Sequence, residues 1–205
     1  MTPVVRTLLF VNVGVFLLQQ VAADGLFTHF ALWPLGQYFV PYFGRVGFEP
    51  WQIVTSAFLH GGFAHIALNM FALYMFGSMV ERAVGSRRFA WLYAVSVLTA
   101  GLVQLVVVTA ALDQGAVPTV GASGGVFGVL LAFAFLFPHQ RLIIFPVPIP
   151  MKAWVLVTGY AVIELVSGVF GTASGVAHFA HLGGMLGAGV TLFYWWHSSN
   201  RPRRV

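Results

Sequence analysis

Stretches of about twenty mostly apolar residues recur along the whole chain, each long enough to cross a hydrocarbon core of about 30 Å as an α-helix. Hydrophobic residues make up 59% of the 205 residues and charged residues only 7%, whereas soluble domains carry roughly a quarter charged residues. A soluble fold of this length could not bury so much apolar surface. The sequence therefore predicts one integral membrane domain over residues 1–205.

The apolar runs predict an all-α fold, a bundle of six transmembrane helices. The external connection at 24–56 is rich in aromatic side chains and is expected to lie partly in the headgroup region. The fourth helix is too short to cross a bilayer alone, so its first residue, Ser123, is expected below the membrane surface. The helices are predicted at residues 4–23, 60–80, 88–112, 123–137, 151–170 and 176–197.

Basic residues favour one orientation of this bundle. With a cytoplasmic amino terminus, nine of the ten lie on the cytoplasmic side and only Arg45 lies outside. Basic residues resist translocation, so both termini are predicted in the cytoplasm. This topology accounts for the net charge of +5. Lipid is the expected partner of the basic residues, and no nucleic-acid partner is predicted. The nine are Arg6, Arg82, Arg87, Arg88, Arg141, Lys152 and a lipid anchor of Arg201, Arg203 and Arg204.

The fourth helix begins at a serine between glycines, in the segment Gly121-Ala122-Ser123-Gly124-Gly125. This segment fits the G-x-S-x-G pattern, but that turn in soluble hydrolases needs a strand before it, and none is predicted here. Ser123 would still lie at a helix amino terminus, where free N–H groups favour a developing oxyanion. The segment alone is equally compatible with close helix packing.

A serine hydroxyl needs a base to become a nucleophile. The sixth helix opens with Ala180-His181-Leu182-Gly183-Gly184, and His181 could reach Ser123 if the two helices pack through their glycines. His178 lies three residues earlier on the same helical face and is the rival base. Each histidine, taken singly, could instead be structural.

The second helix adds polar residues to an otherwise apolar segment. His65 and Asn69 lie one turn apart on one face, and such groups are costly inside a membrane unless they have partners. Asn69 cannot ionise, but its carboxamide can donate a hydrogen bond to an oxyanion. His60 falls on a different face and is expected to pack at the helix entrance or to contact the loop. An interhelical bridge without a catalytic part is the alternative for His65.

Together and in this order, the three motifs resemble those of the rhomboid family of intramembrane serine proteases. The resemblance covers nearly the whole chain and includes Gly77-x-x-x-Glu81-x-x-x-Gly85 at the end of the second helix. It implies that Ser123 is the nucleophile and His181 the general base, in a dyad with no carboxylate partner. The implied substrates are transmembrane helices cut near their external ends, at small residues with helix-weakening residues close by.

The resemblance also implies an oxyanion hole and its supports. His65, Asn69 and the backbone N–H of Ser123 would form the hole, and Gly121, Gly124, Phe127 and His60 are the possible supporting residues. The family often has Trp-Arg where this chain has Trp51-Gln52, which puts any loop-anchoring role of the arginine in doubt. Phe127 occupies a position where the family commonly has a tyrosine. Its ring can still stack under the histidine, but it has no hydroxyl group to form the tyrosine's hydrogen bond.

Two other functions remain open at this point. Neutral imidazoles bind zinc, so His60, His65, His178 and His181 could serve a metal-dependent hydrolase, but no Asp or Glu is expected near them. A non-catalytic relative that binds transmembrane helices, or a transporter, is the second alternative. Glu164, with Tyr160 one turn before it, could belong to a proton path, but we interpret it as hydrogen-bonded inside the bundle. No cofactor or metal is predicted for the serine mechanism, and a bacterial inner membrane is the expected location.

Overall fold

The computed structural model describes residues 1–110, 116–144, 147–171 and 176–199, and in these ranges the chain is mostly helical. Within the described ranges, four helices are long and apolar enough to cross a membrane: Pro3–Phe30, Phe63–Val84, Ser86–Ala110 and Ala153–Phe170. The elements are α1 (Pro3–Phe30), β1 (Gln37–Val40), β2 (Gly44–Gly47), α2 (Gln52–Thr55), α3 (Phe63–Ala72), α4 (Ser78–Val84), α5 (Ser86–Ala110), α6 (Ser123–Leu136), β3 (Arg141–Ile144), β4 (Val147–Lys152), α7 (Ala153–Phe170) and α8 (His178–Ser199).

Two short antiparallel hairpins interrupt the predicted all-α pattern. β1 pairs with β2 inside the external connection, and β3 pairs with β4 between α6 and α7. A 3₁₀ turn at Ser56–Phe58 follows α2, and a π-helical turn at Leu73–Gly77 joins α3 to α4 into one long helix. The strands are only four to six residues long and belong to the connections, so the helices still carry the fold.

The predicted end of the first helix at residue 23 lies at a kink. The backbone leaves helical geometry at Ala22 (φ −139°, ψ 33°), where two helical segments meet. Helical structure then continues, so α1 as a whole ends at Phe30 instead of residue 23. The external connection therefore begins after Phe30.

The other helix ends lie within four residues of the predicted ones wherever the chain is described. The π-helical turn carries the second helix on to Val84 in place of residue 80. The sixth helix runs from His178 to Ser199, two residues later than predicted at both ends. The predicted end of the third helix at residue 112 and the lipid anchor of Arg201, Arg203 and Arg204 lie outside the described residues.

Gln52 holds the external connection together at the position where the family often has arginine. The side chain is fully buried and accepts a hydrogen bond from the Trp33 N–H at 3.2 Å. Its amide group donates to the carbonyl oxygens of Gly47 at 3.2 Å and His29 at 3.4 Å. The uncharged amide of Gln52 thus makes loop-anchoring contacts. The absence of an arginine at this position had put such contacts in doubt.

Glu81 joins three helices at the opposite end of the bundle. Its buried carboxylate accepts the backbone N–H groups of Val4 at 3.0 Å and Val5 at 2.9 Å, at the start of α1. It also accepts the Ser86 hydroxyl at 2.7 Å. A carboxylate there satisfies N–H groups that a helix start leaves free and interacts favourably with the helix dipole.

Small residues let α8 pack closely against α5 and α6. A Cβ atom on Gly184 would lie 2.6 Å from the carbonyl carbon of Gly124, and one on Gly183 would lie 3.0 Å from Ala100 Cα. Side chains larger than hydrogen would force these helices apart, because the interior is close-packed. The glycine contact brings the first turn of α6 beside the first turn of α8.

Candidate active site

Ser123 and His181 meet where α6 and α8 begin. His181 Nε2 lies 2.8 Å from Ser123 Oγ, which is hydrogen-bonding distance. Ser123 is half-buried and His181 is 8% exposed. An imidazole in this position can take the proton of the hydroxyl as the oxygen attacks an electrophile.

Phe127 fixes the plane of the His181 imidazole. The two rings are stacked, with centroids 4.2 Å apart and an interplanar angle of 5°. Phe127 lies one turn after Ser123 on α6, so the same helix supplies both the hydroxyl and the stacking surface. Tyr160 of α7 packs edge-on against the Phe127 ring at 6.2 Å. The imidazole is therefore held from one face while Nε2 points at Ser123.

The turn before Ser123 is anchored to the external connection. The N–H of Gly121 donates to the carbonyl of Ser56 at 2.9 Å, and Leu32 and Thr119 exchange two backbone hydrogen bonds. Gly121 has φ 134°, a backbone conformation that favours glycine. The first N–H groups of α6, including that of Ser123, have no acceptor within the helix and can serve an oxyanion.

His65 presents a hydrogen-bond donor to this turn. Its Nδ1 accepts the Gly61 N–H at 3.3 Å, so in the neutral imidazole the proton is on Nε2. A Cβ atom on Gly121 would lie 2.8 Å from that Nε2 and 3.5 Å from Ser123 Oγ. The His65 Nε2–H thus faces the backbone next to Ser123, and a side chain at residue 121 would displace it.

Asn69 and His60 lie on either side of His65. Asn69 is buried one turn later on α3, and its Nδ2 donates to the His65 carbonyl at 3.1 Å, which leaves one amide hydrogen available. The His60 ring packs edge-on against the His65 ring at 5.1 Å. The backbone of His60 exchanges two hydrogen bonds with the Gln19 side chain of α1, at 2.9 and 3.0 Å. His60 therefore packs at the helix entrance.

A carboxylate lies behind His181, where the sequence led us to expect none. Glu164 Oε2 of α7 is 2.6 Å from His178 Nδ1 and 3.0 Å from His181 Nδ1. The prediction that no Asp or Glu lies near these histidines was therefore wrong. The available signal was the cost of a carboxylate inside an apolar helix, which indicates a nearby partner. His178, the rival base, contacts this carboxylate through Nδ1.

A small, partly open cavity of about 30 Å³ adjoins Ser123, which is enough space to hold a water molecule. Its lining includes Gly101, Gln104 and Thr119, and Gln104 Nε2 donates to Thr119 Oγ1 at 3.2 Å. In the described part of the chain, no group of three His, Cys, Asp or Glu side chains is arranged to hold a metal ion.

The sequence is similar to a known family and to several of its members. Residues 47–198 match the family described as "Rhomboid domain". Rhomboid protein 1, mitochondrial, of Saccharomyces cerevisiae is 34% identical over 75% of this chain and 45% of its own length. Rhomboid protease GluP of Bacillus subtilis is 32% identical over 68% of this chain and 25% of its own length. Rhomboid protease GlpG of Klebsiella pneumoniae is 26% identical over 89% of this chain and 59% of its own length.

The chain thus spans less than half the length of the yeast and Bacillus relatives. The family match nevertheless covers most of the chain and contains the Ser123, His181 and His65 motifs. The apolar helices of the chain, together with this family match, identify the protein as an integral membrane protein. The resemblance that the motifs indicated is confirmed: the chain belongs to the rhomboid family.

Proposed function

We propose that this protein is an intramembrane serine endopeptidase that cleaves transmembrane helices of membrane-protein substrates with a Ser123–His181 pair. The observation that carries the proposal is the 2.8 Å approach of His181 Nε2 to Ser123 Oγ, with the imidazole stacked on Phe127. Relatives named as rhomboid proteases support the same activity.

In this mechanism Ser123 Oγ attacks the scissile carbonyl carbon while His181 Nε2 takes the hydroxyl proton. The carbonyl oxygen becomes an oxyanion, which the N–H of Ser123, His65 Nε2–H and the free Asn69 amide hydrogen stabilise. His181 then gives the proton to the leaving amine as the C–N bond breaks. A water molecule, deprotonated by His181, hydrolyses the acyl-enzyme and restores Ser123.

The proposed setting is a six-span domain over residues 1–205 with both termini in the cytoplasm. α6 has 14 residues and is therefore about 21 Å long, shorter than a hydrocarbon core of about 30 Å. A helix of this length places Ser123 below the external surface when its other end reaches the cytoplasmic side. Location in a bacterial inner membrane stays a prediction, since the relatives include mitochondrial and bacterial proteins.

The cavity beside Ser123 supports a preference for small residues at the cut. At about 30 Å³ this cavity is small, so compact side chains are expected to fit it best. A peptide bond inside a helix is also shielded by its hydrogen-bonded turn, so the substrate must unwind before Ser123 can attack. Helix-weakening residues near the cut would lower that cost.

Replacing Asn69 by alanine is expected to lower kcat roughly 10²-fold or more and to leave KM within about threefold, because an oxyanion donor acts mainly in the transition state. Asn12→Ala is the matched control. Asn12 is also buried and donates through Nδ2 to the carbonyl four residues earlier, Leu8, at 2.7 Å, but in α1. Steady-state cleavage of a transmembrane substrate in detergent measures both constants. A loss confined to KM would remove Asn69 from the oxyanion hole.

A chelator test separates the serine mechanism from the metal-dependent alternative. Cleavage by the purified protein is expected to continue unchanged in 1,10-phenanthroline and to stop after treatment with a fluorophosphonate, which phosphonylates activated serines with loss of fluoride. Mass spectrometry of the products should place the cut within the substrate's transmembrane segment. Inhibition by the chelator that added zinc reverses, with no effect of the fluorophosphonate, would favour the metal hydrolase. Binding of the substrate helix without any cut would favour the non-catalytic relative.

A further inference from the structure

Glu164 is a buried carboxylate that the two-residue mechanism leaves without a role. It lies in the middle of α7 and is 8% exposed. Its Oε2 contacts Nδ1 of both His178 and His181, at 2.6 and 3.0 Å. Burial of a carboxylate in an apolar helix costs free energy unless partners compensate, and both contacts here come from the first turn of α8.

The position of this carboxylate relative to His181 has a chemical meaning. His181 can accept the Ser123 proton at Nε2 only in the tautomer that carries its own proton on Nδ1. A buried Nδ1–H needs an acceptor, and Glu164 Oε2 is the oxygen that lies next to it. When Nε2 takes the proton, the imidazole becomes a cation, and a carboxylate 3.0 Å from Nδ1 offsets that charge.

We propose that Glu164 is a positioning residue for His181, so that Ser123, His181 and Glu164 act as a triad, an inference that rests on the proposed protease function. In the structure His178 Nδ1 makes the aligned hydrogen bond to Oε2, while His181 Nδ1 has the distance of an ion pair without that alignment. Catalytic hydrogen bonds often tighten only when substrate is bound. His178 holds the carboxylate in place, and His181 engages it during attack.

A purely structural role for Glu164, as a tie between α7 and α8 through His178, predicts a different result from a positioning role. The tie would affect stability and leave the catalytic constants of the folded enzyme alone. The positioning role affects kcat and the tautomer of His181. Glu164→Gln keeps the size and an acceptor oxygen but removes the charge, so it separates the two.

Glu164→Gln in the full chain is expected to lower kcat at least about tenfold with KM within about threefold, because charge-assisted hydrogen bonds are roughly twice as strong as neutral ones. In protein labelled with ¹⁵N-histidine, the same change should reduce the fraction of His181 with its proton on Nδ1. Glu164→Asp, which restores the charge on a shorter side chain, should recover part of kcat.

Glu81→Gln is the matched control, since Glu81 is also a buried carboxylate with backbone and hydroxyl donors. It should lower the thermal midpoint and leave kcat of the folded enzyme unchanged. A Glu164→Gln enzyme with native kcat and a native His181 spectrum overturns the positioning role, even if its thermal midpoint falls. If the native protein cleaves no substrate but Glu164→Gln still alters the His181 spectrum, the result supports the contact between Glu164 and His181. It then counts against the protease function instead.

Discussion

Replacing Ser123 by alanine is expected to lower cleavage of a transmembrane substrate at least about 10⁴-fold, to the uncatalysed level within detection, because the attacking atom is gone. The fold should be unaffected. Ser123 is half-buried and its hydroxyl contacts His181 Nε2, so the alanine leaves no large cavity. Cleavage by purified protein in detergent micelles, with thermal unfolding measured in parallel, checks both expectations.

Ser78→Ala provides the control for this experiment. Ser78 is buried in α4, and its hydroxyl has no hydrogen-bond partner among the described residues. Loss of that hydroxyl should leave cleavage unchanged. Normal turnover by the Ser123 variant, in preparations free of other proteases, would eliminate the serine mechanism altogether.

Replacing His181 by alanine is expected to be nearly as damaging, with a loss of at least about 10³-fold in kcat, because no other base lies against Ser123 Oγ in the described structure. His178→Ala should cost less than about tenfold. His178 contacts Glu164, and its removal takes away one hydrogen bond to a carboxylate, worth about 1.5–3 kcal/mol of stability, while His181 keeps its place against Ser123. Cleavage rates of the two variants under one set of conditions give the ranking.

The two histidines are good controls for each other because they lie three residues apart on one turn and are similarly buried. A structural defect at the start of α8 would affect both variants. The reverse ranking, with His178→Ala the inactive variant, would assign the base to His178 and require α8 to rotate in solution.

Local patterns were sufficient to predict most helices and the family. Apolar runs predicted the helices because the backbone groups of a segment in a membrane must form their hydrogen bonds within that segment, as they do in an α-helix. The start of α6 was predicted at Ser123, where it lies, because the glycines before it mark a turn and the apolar run after it marks a helix. The apolar run ends before Asp24, but α1 kinks at Ala22 and continues to Phe30, which the run of apolar residues did not indicate.

The candidate site shows where sequence patterns stop being informative. Spacing along one helix related His65 to Asn69 and His178 to His181, since residues three and four apart share a face. Contacts between helices depend on rotation and depth, which no local pattern encodes. Glu164 therefore could not be assigned to His178 and His181 from the sequence, and the anchoring contacts of Gln52 became visible only in the fold.

Reaction of the membrane-embedded protein with a fluorophosphonate, followed by peptide mapping, tests most directly whether Ser123 and His181 act together. The reagent is small and needs no unwound helix, so it reports the reactivity of the hydroxyl alone. We expect the adduct on Ser123, with the reaction lost in His181→Ala and kept in Asn12→Ala. An adduct on a different residue, or a His181→Ala variant whose Ser123 reacts at the native rate, would contradict the pairing of the two residues.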